Sequence, residues 1–290
     1  MKKRLATILS LSALSILVVI SAFYFVFDIP NQASLLVQDR TGWSETKKCY
    51  VNPEAKVLDK RGEINILVWN IYKQNRETAM SQLSTYSAGS QLLLLQEASL
   101  NNELKQWITS RDWDSNLVRA FDAFDTSAGV VSLSSSLPLK ACAYIEKEPL
   151  LRLPKSALYT RYPLENGQEL AVINVHAINF TIGTETYAHQ LEVLQEAVQQ
   201  HQGPLILAGD FNTWSDNRLE ALKRITRELQ LSEVKMEPDN RKTFITGLPL
   251  DHVFYKNLTL INAEAPITDA SDHNPILVRF RTEGSALSLE

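Results

Sequence analysis

The sequence predicts a mixed α/β layered domain, and three observations predict it. Apolar runs of strand length recur along the chain, and segments with helical periodicity fall between several of them. Apolar residues make up 44% and charged residues 21%, the composition of a chain that builds a real core. The chain has 290 residues, and once the first thirty are set aside the length suits one large domain or at most two small ones.

Lys2, Lys3 and Arg4 precede a run from Leu5 to Phe27 without a charged residue. A helix of about 20 apolar residues spans a bilayer. A signal peptide could be cut after Ala22, but its apolar region usually holds only about 7–15 residues, and here Phe23 to Phe27 continue the run. Residues 1–30 therefore read as a transmembrane anchor in preference to a cleaved signal segment. The positive-inside rule puts the N-terminus in the cytoplasm and the domain on the other side. Residues 31–62 show no clear periodicity and read as a tether. Residues 63–282 read as the folded domain and 283–290 as a C-terminal tail.

Ile64 to Trp69 reads as a buried strand that ends on Asn70. Gln91–Gln96 is a second, ending on Glu97; Glu169–Val175 is a third, ending on His176. Leu205–Ala208 is a fourth, followed by Gly209-Asp210-Phe211-Asn212. Val253–Tyr255 is opened by Asp251, and Pro275–Phe280 by Asp272-His273-Asn274. Residues 128–135 and 139–146 read as further strands. Helices are expected over 184–200, ended by Gly203-Pro204, and after a capping Ser215, with weaker candidates at 76–87 and 100–110.

The polar residues fall at the ends of separate strands, which gathers them at one edge of a sheet. Carboxylates such as Glu97 and Asp210 suit a hard divalent cation, which prefers oxygen ligands. Asn70 and Asn212 can orient water or offer a carbonyl oxygen, and His176 and His273 carry protons near neutral pH. Phosphoester hydrolysis needs all of these functions. Residues 1–30 carry a net +2, which leaves −6 for the rest of a chain whose total is −4. That is a poor footprint for wrapping long nucleic acid, but no obstacle to a small phosphate-bearing substrate. The two cysteines, Cys49 and Cys142, belong to no zinc pattern; whether they form a disulfide stays open. The absence of GxSxG disfavours a serine hydrolase.

Six segments then resemble one family in order: Val68-Trp69-Asn70, Leu94-Leu95-Gln96-Glu97, Gly129 to Ser134, Asn174 to Asn179, Gly209-Asp210-Phe211-Asn212 and Ser271 to Pro275. Together they are similar to the endonuclease/exonuclease/phosphatase superfamily, the deoxyribonuclease I-like proteins, and most to its YafD-like bacterial branch. The resemblance implies a four-layered two-sheet β-sandwich flanked by helices, with the site at one end. It implies Mg²⁺ or Mn²⁺ held by Glu97 and Asn70, with Asp272 reaching the metal directly or through water. Asp210 would position the attacking water with Asn212. His273, oriented by Asp251, would contact phosphate, and His176 would assist the leaving group. Asn179 would sit near the phosphate, as could Lys155, for which a solvated surface role is an equal reading. His252 alternates to the opposite strand face and is left out.

Two departures disfavour abasic-DNA repair: Tyr72 where such enzymes carry an acid, and His176 where they use tyrosine. The expected function is hydrolysis of a phosphoester, and the acidic domain, His176 and the anchor point to a phosphodiester: a lipid headgroup, a nucleic-acid fragment or another small phosphodiester. The alternatives are a DNA or RNA nuclease and a non-catalytic membrane-tethered binding module. The expected location is a bacterial inner membrane, single-pass through residues 5–27, with the catalytic domain outside the cytoplasm; a cytoplasmic or a secreted, cleaved protein are the alternatives. No protein partner is evident.

Overall fold

The computed structural model describes residues 12, 14, 15, 17, 18, 20–150, 152–181 and 183–283. Among these, two sheets carry the fold. The nine-stranded sheet runs, in spatial order, β15 (Leu258–Glu264), β16 (Ile276–Thr282), β5 (Glu63–Asn70), β6 (Leu92–Ser99), β8 (Thr126–Ser134), β7 (Asp114–Ala123), β2 (Ser34–Asp39) and β3 (Gly42–Lys47), with β1 (Phe27–Asp28) also on β7; the seven-stranded sheet runs β13 (Ser232–Glu233), β14 (Asp251–Lys256), β12 (Leu205–Asp210), β11 (Glu169–His176), β10 (Pro154–Pro163), β9 (Lys140–Lys147) and β4 (Cys49–Val51). In the first, β5 (Glu63–Asn70) and β6 (Leu92–Ser99) are parallel, and β16 (Ile276–Thr282) lies antiparallel beside β5. In the second, β11 (Glu169–His176) and β12 (Leu205–Asp210) are parallel, and β14 (Asp251–Lys256) lies antiparallel beside β12.

Period-2 alternation explains why the sheets stack. Ile64, Ile66, Val68, Leu92 and Leu94 of the first sheet bury against Leu170, Val172, Ile206, Ala208 and Val253 of the second. The opposite parity faces helices. Leu67, Trp69, Leu93 and Leu95 pack with Leu83 of α1 (Ala79–Tyr86) and with Leu104, Trp107 and Ile108 of α2 (Asn102–Ser110). Ile173, Val175, Leu205 and Leu207 pack with α3 (Glu185–Val198) and α4 (Asp216–Glu228). The result is helix, sheet, sheet, helix, as the sequence implies. Ser215 stands at the N-cap of α4 but makes no side-chain cap hydrogen bond.

Two expectations at the N-terminal side are corrected. Among the described residues no helix is long and apolar enough to cross a membrane, so the single-pass anchor over residues 5–27 is not found; residues 5–11, 13, 16 and 19 lie outside the described residues. The end of the apolar run is instead part of the sheet. Phe27 and Asp28 pair with Ala123 and Asp122 of β7 (Asp114–Ala123), and Asp28 binds Arg119 at 2.5 Å. This removes the ground for a membrane partner and for an inner-membrane location. Residues 31–62 are not a plain tether either, for they hold β2 (Ser34–Asp39), β3 (Gly42–Lys47) and β4 (Cys49–Val51). β2 shows no simple alternation because it is covered on both faces: Leu35 and Val37 sit between the sheets, and Leu36 packs against the helix side. Cys49 pairs directly with Cys142 on β9 (Lys140–Lys147), and the two form a disulfide. Of the expected tail, residues 284–290 lie outside the described residues.

Candidate active site

Strand parity delivers the site. Asn70 continues the inward series of Ile64, Ile66 and Val68; His176 continues Leu170 and Val172; Asp210 continues Ile206 and Ala208; Asp251 precedes Val253 by two. In register, His176 lies beside Asp210 and Asp210 beside Asp251, three adjacent strands presenting one functional residue each. Asn70 reaches across from the first sheet and donates from Nδ2 to Asp210 Oδ2 at 3.0 Å. The other Asp210 oxygen accepts the Asn212 N–H at 2.9 Å. His273, on the turn into β16, sets Nδ1 2.7 Å from Asp251 Oδ2, and its backbone carbonyl accepts from the Trp69 indole.

Glu97 reaches the site by a different route. Its parity would turn it away from the inner face, but it has φ +50° within an irregularity of the β6–β8 pairing between Leu95 and Ala98. Such a bulge re-aims a side chain. The Glu97 carboxylate meets the ammonium of Lys73, lies 3.8 Å from Lys155 Nζ and lies 3.7 Å from His176 Nε2. His176 Nε2 is also 3.6 Å from Asp210 and 2.9 Å from Lys155 Nζ, so the imidazole stands between the two carboxylates with the ammonium as its hydrogen-bond partner. Lys73 was not expected from the sequence. It lies in a turn where Tyr72, Lys73 and Gln74 all have positive φ, which no periodicity announces.

Gly209 makes the end of β12 possible. Its φ is +139°, and a Cβ there would lie 2.0 Å from the Val175 carbonyl oxygen. Gly209→Ala is expected to destabilise the fold by more than about 2 kcal/mol, read as a fall in the urea midpoint. An unchanged midpoint would mean that β11 and β12 do not approach this closely.

The flanking loop is held by a residue that sequence reasoning passed over. Arg218 of α4 is fully buried, stacked between Tyr187 and Trp214. It donates to the carbonyls of Ile178, Asn179 and Asn212. Within an amphipathic helix it looks like any solvated arginine. Asn179 Oδ1 accepts from the Trp214 indole at 2.9 Å, which holds this side chain in place. Asp272 is exposed, and its nearest partner is the Ser271 hydroxyl at 3.3 Å. His252 does face the other way, between Glu233 and Thr213. His189 is at the surface, near Glu146.

The two central imidazoles are driven apart. Burial, reinforced by the neighbouring Lys155 ammonium, pushes His176 down to about 4, so it is neutral at pH 7. Burial also opposes charge on His273, but the charge and hydrogen bond of Asp251 outweigh it, with Asp210 and Asp272 adding, and raise it to about 10. Burial alone would raise Glu97, yet the charges around it, from His176, Lys155 and Lys73, bring it down to about 2.

Asp210, Asp251 and His273 are all buried, with ligand atoms within 4.8 Å of one another. Among the described residues they form a cluster able to coordinate a divalent metal, and hard oxygen donors predominate in it. Glu97 and Asp272 are not part of that cluster.

The sequence profile of the Endonuclease/Exonuclease/phosphatase family matches residues 67–273, the stretch that carries every one of these side chains. The chain belongs to this family. Among curated relatives, this family member is 54% identical over 273 residues to a UPF0294 protein of Vibrio parahaemolyticus, covering 94% of this chain and 97% of that one. A UPF0294 protein of Yersinia enterocolitica is 46% identical over 229 residues, covering 79% and 88%. Among solved structures, the family protein of Beutenbergia cavernae superposes with TM-score 0.61 at 16% identity, covering 78% of this chain and 73% of that one. The human Nocturnin catalytic domain with bound sulfate superposes with TM-score 0.59 at 18% identity, covering 78% and 97%. These structural likenesses establish the fold: mixed α/β, two multi-stranded sheets flanked by helices. Family membership and the buried Asp-Asp-His cluster together give this chain the makings of a phosphoesterase centre.

Proposed function

We propose that this protein is a divalent-metal-dependent hydrolase of phosphodiester bonds. The observation that carries the reading is the alignment of His176, Asp210 and Asp251 across three strands, opposite Asn70, Glu97 and His273 from the other sheet. Glu97 and Asn70, with a carboxylate oxygen of Asp210 from the buried cluster, would hold Mg²⁺ or Mn²⁺, and Asp272 stands at the rim. A bound divalent cation would offset the negative charge of the phosphate.

The protein's own groups supply the rest. Asp210 orients the attacking water, with Asn212 fixed against its Oδ1. His273 stays protonated at neutral pH and offers Nε2 as a charged donor to a phosphate oxygen, while Asp251 holds Nδ1. His176 is neutral at rest, so leaving-group assistance draws on the Lys155 ammonium in contact with its Nε2. Asn179, its Oδ1 held by the Trp214 indole, would contact the phosphate.

Within the family, the stretches Ile66 to Gln74 and Ser271 to Val278 support membership of the YafD-like branch. The proposed phosphoesterase domain is residues 63–282, with β1 to β4 added to its two sheets. A nuclease is the second reading. It draws on the Danio rerio TDP2 structure, complexed with a single-strand DNA product, which superposes with TM-score 0.53 at 16% identity. The net −6 beyond residue 30 favours a small substrate instead.

The test is hydrolysis of aryl and alkyl phosphodiesters under Mg²⁺ and Mn²⁺ titration, on wild type and His176→Ala. Turnover should rise with metal and vanish in EDTA, and His176→Ala should lose most on esters with poor leaving groups. Turnover that EDTA leaves intact would remove the metal from the proposal.

A further inference from the structure

A cleft of about 240 Å³ opens beside Glu97, Lys155 and His176. Its two ends differ in chemistry. Lys73 and Lys155 stand at the catalytic end, two ammoniums beside the place a phosphate would occupy. The walls beyond are apolar: Phe121 and Ala128 from the β7–β8 hairpin, Leu153 and Pro154 at the start of β10 (Pro154–Pro163), and Phe180 after β11.

Two polar side chains in those walls already hold backbone N–H groups. The Ser156 hydroxyl accepts the Val130 N–H at 3.1 Å. The buried Glu148 carboxylate accepts the N–H groups of Asn179 at 2.6 Å and Phe180 at 3.3 Å. Phe121 is braced edge-on by Phe27, with ring centroids 5.7 Å apart, so its wall is set before any ligand arrives. Phe180 is 51% exposed at the opposite lip, next to Asn179. Burying that ring against a ligand group yields the ordinary apolar gain of about 25 cal/mol per Å². The volume lies below the range of roughly 300–1,000 Å³ usual for drug-sized ligands, which suits one ring or a short chain.

We infer that this cleft is a subsite for an apolar ester group, and that the substrate is a phosphodiester carrying a short alkyl or aryl group there. The inference rests on the hydrolase reading and names the substrate class of that same site.

The test is calorimetric binding of methyl, butyl and phenyl phosphate and of thymidine 5′-phosphate to the full chain in saturating Mg²⁺. Three added methylenes in a half-open apolar cleft are expected to tighten binding about tenfold from methyl to butyl phosphate. Comparison of butyl with phenyl phosphate decides between alkyl and aryl. Phe180→Ala should cut the butyl-to-methyl ratio several-fold. Equal affinities for methyl, butyl and phenyl phosphate, or tighter binding of thymidine 5′-phosphate than of phenyl phosphate, would overturn the subsite. Apolar preference in binding without metal-dependent turnover of any diester would support the subsite and count against the hydrolase reading.

Discussion

Replacing Asp210 by Asn should lower metal-stimulated phosphodiester turnover by about a thousandfold, the scale on which a positioned acid–base group acts. Asp210 is the group on which both sheets converge. It accepts from Asn70 on one oxygen and from the Asn212 N–H on the other, and it faces His176 at 3.6 Å and His273 at 3.9 Å. Asparagine keeps the shape and volume, so the fold should survive. The new amide nitrogen faces donors where an acceptor stood, a mismatch of about 1–3 kcal/mol, read in the urea midpoint. The substitution should also shrink the rise in melting temperature that Mg²⁺ gives the wild type, because metal bound to the native state stabilises it by mass action. A variant within tenfold of wild-type turnover would take Asp210 out of the chemistry.

The second large effect is expected at Asp251. Folding raises the proton affinity of His273 from an ordinary value near 6.5 to about 10. Between those values the native state holds a proton that the unfolded chain has lost. The stabilisation is therefore full below about pH 6.5 and disappears as pH climbs through about 10. Asp251→Asn removes the main cause of the shift and leaves a buried imidazole without its counter-charge. The metal-free protein should lose on the order of 3–5 kcal/mol at neutral pH. Its urea midpoint should then depend little on pH between 7 and 10, where the wild type in EDTA falls. His176 titrates with the opposite sense. Its folded value is depressed to about 4, so its contribution stands above about pH 6.5 and is lost as pH falls toward 4. Parallel alkaline loss in wild type and Asp251→Asn would mean that another group governs the slope.

Much of this site was legible in the sequence because strand ends were. Asn70, His176, Asp210 and Asp251 sit where an apolar run stops, and parity alone turns them inward. Glu97 was found from its strand-ending position and the family resemblance, but the bulge and positive φ that aim it are set by tertiary pairing. Lys73 lay hidden in a three-residue turn, and Arg218 in a helix whose local pattern cannot distinguish a buried cation from a solvated one. β7 and β10 escaped the periodicity because buried Ser115, Asn116, Ser156 and Thr160 interrupt their apolar pattern. At the N-terminus, the run from Leu5 to Phe27 has the composition of a span, yet Phe27 is a strand residue packed on Phe121. Composition measures how apolar a segment is and does not say what covers it.

Beneath the candidate site, Gln96 of the first sheet donates to Asn174 of the second at 2.7 Å, and Asn174 donates back to the Val131 carbonyl at 3.0 Å. These amides rivet one layer to the other at the very level where each contributes part of the clustered polar side chains. Shear between the layers would tear bonds that no water can replace in so dry a place. The candidate site is thus built on a stiff frame, and changes of substrate across relatives should be written in the rim segments while the two layers keep their alignment.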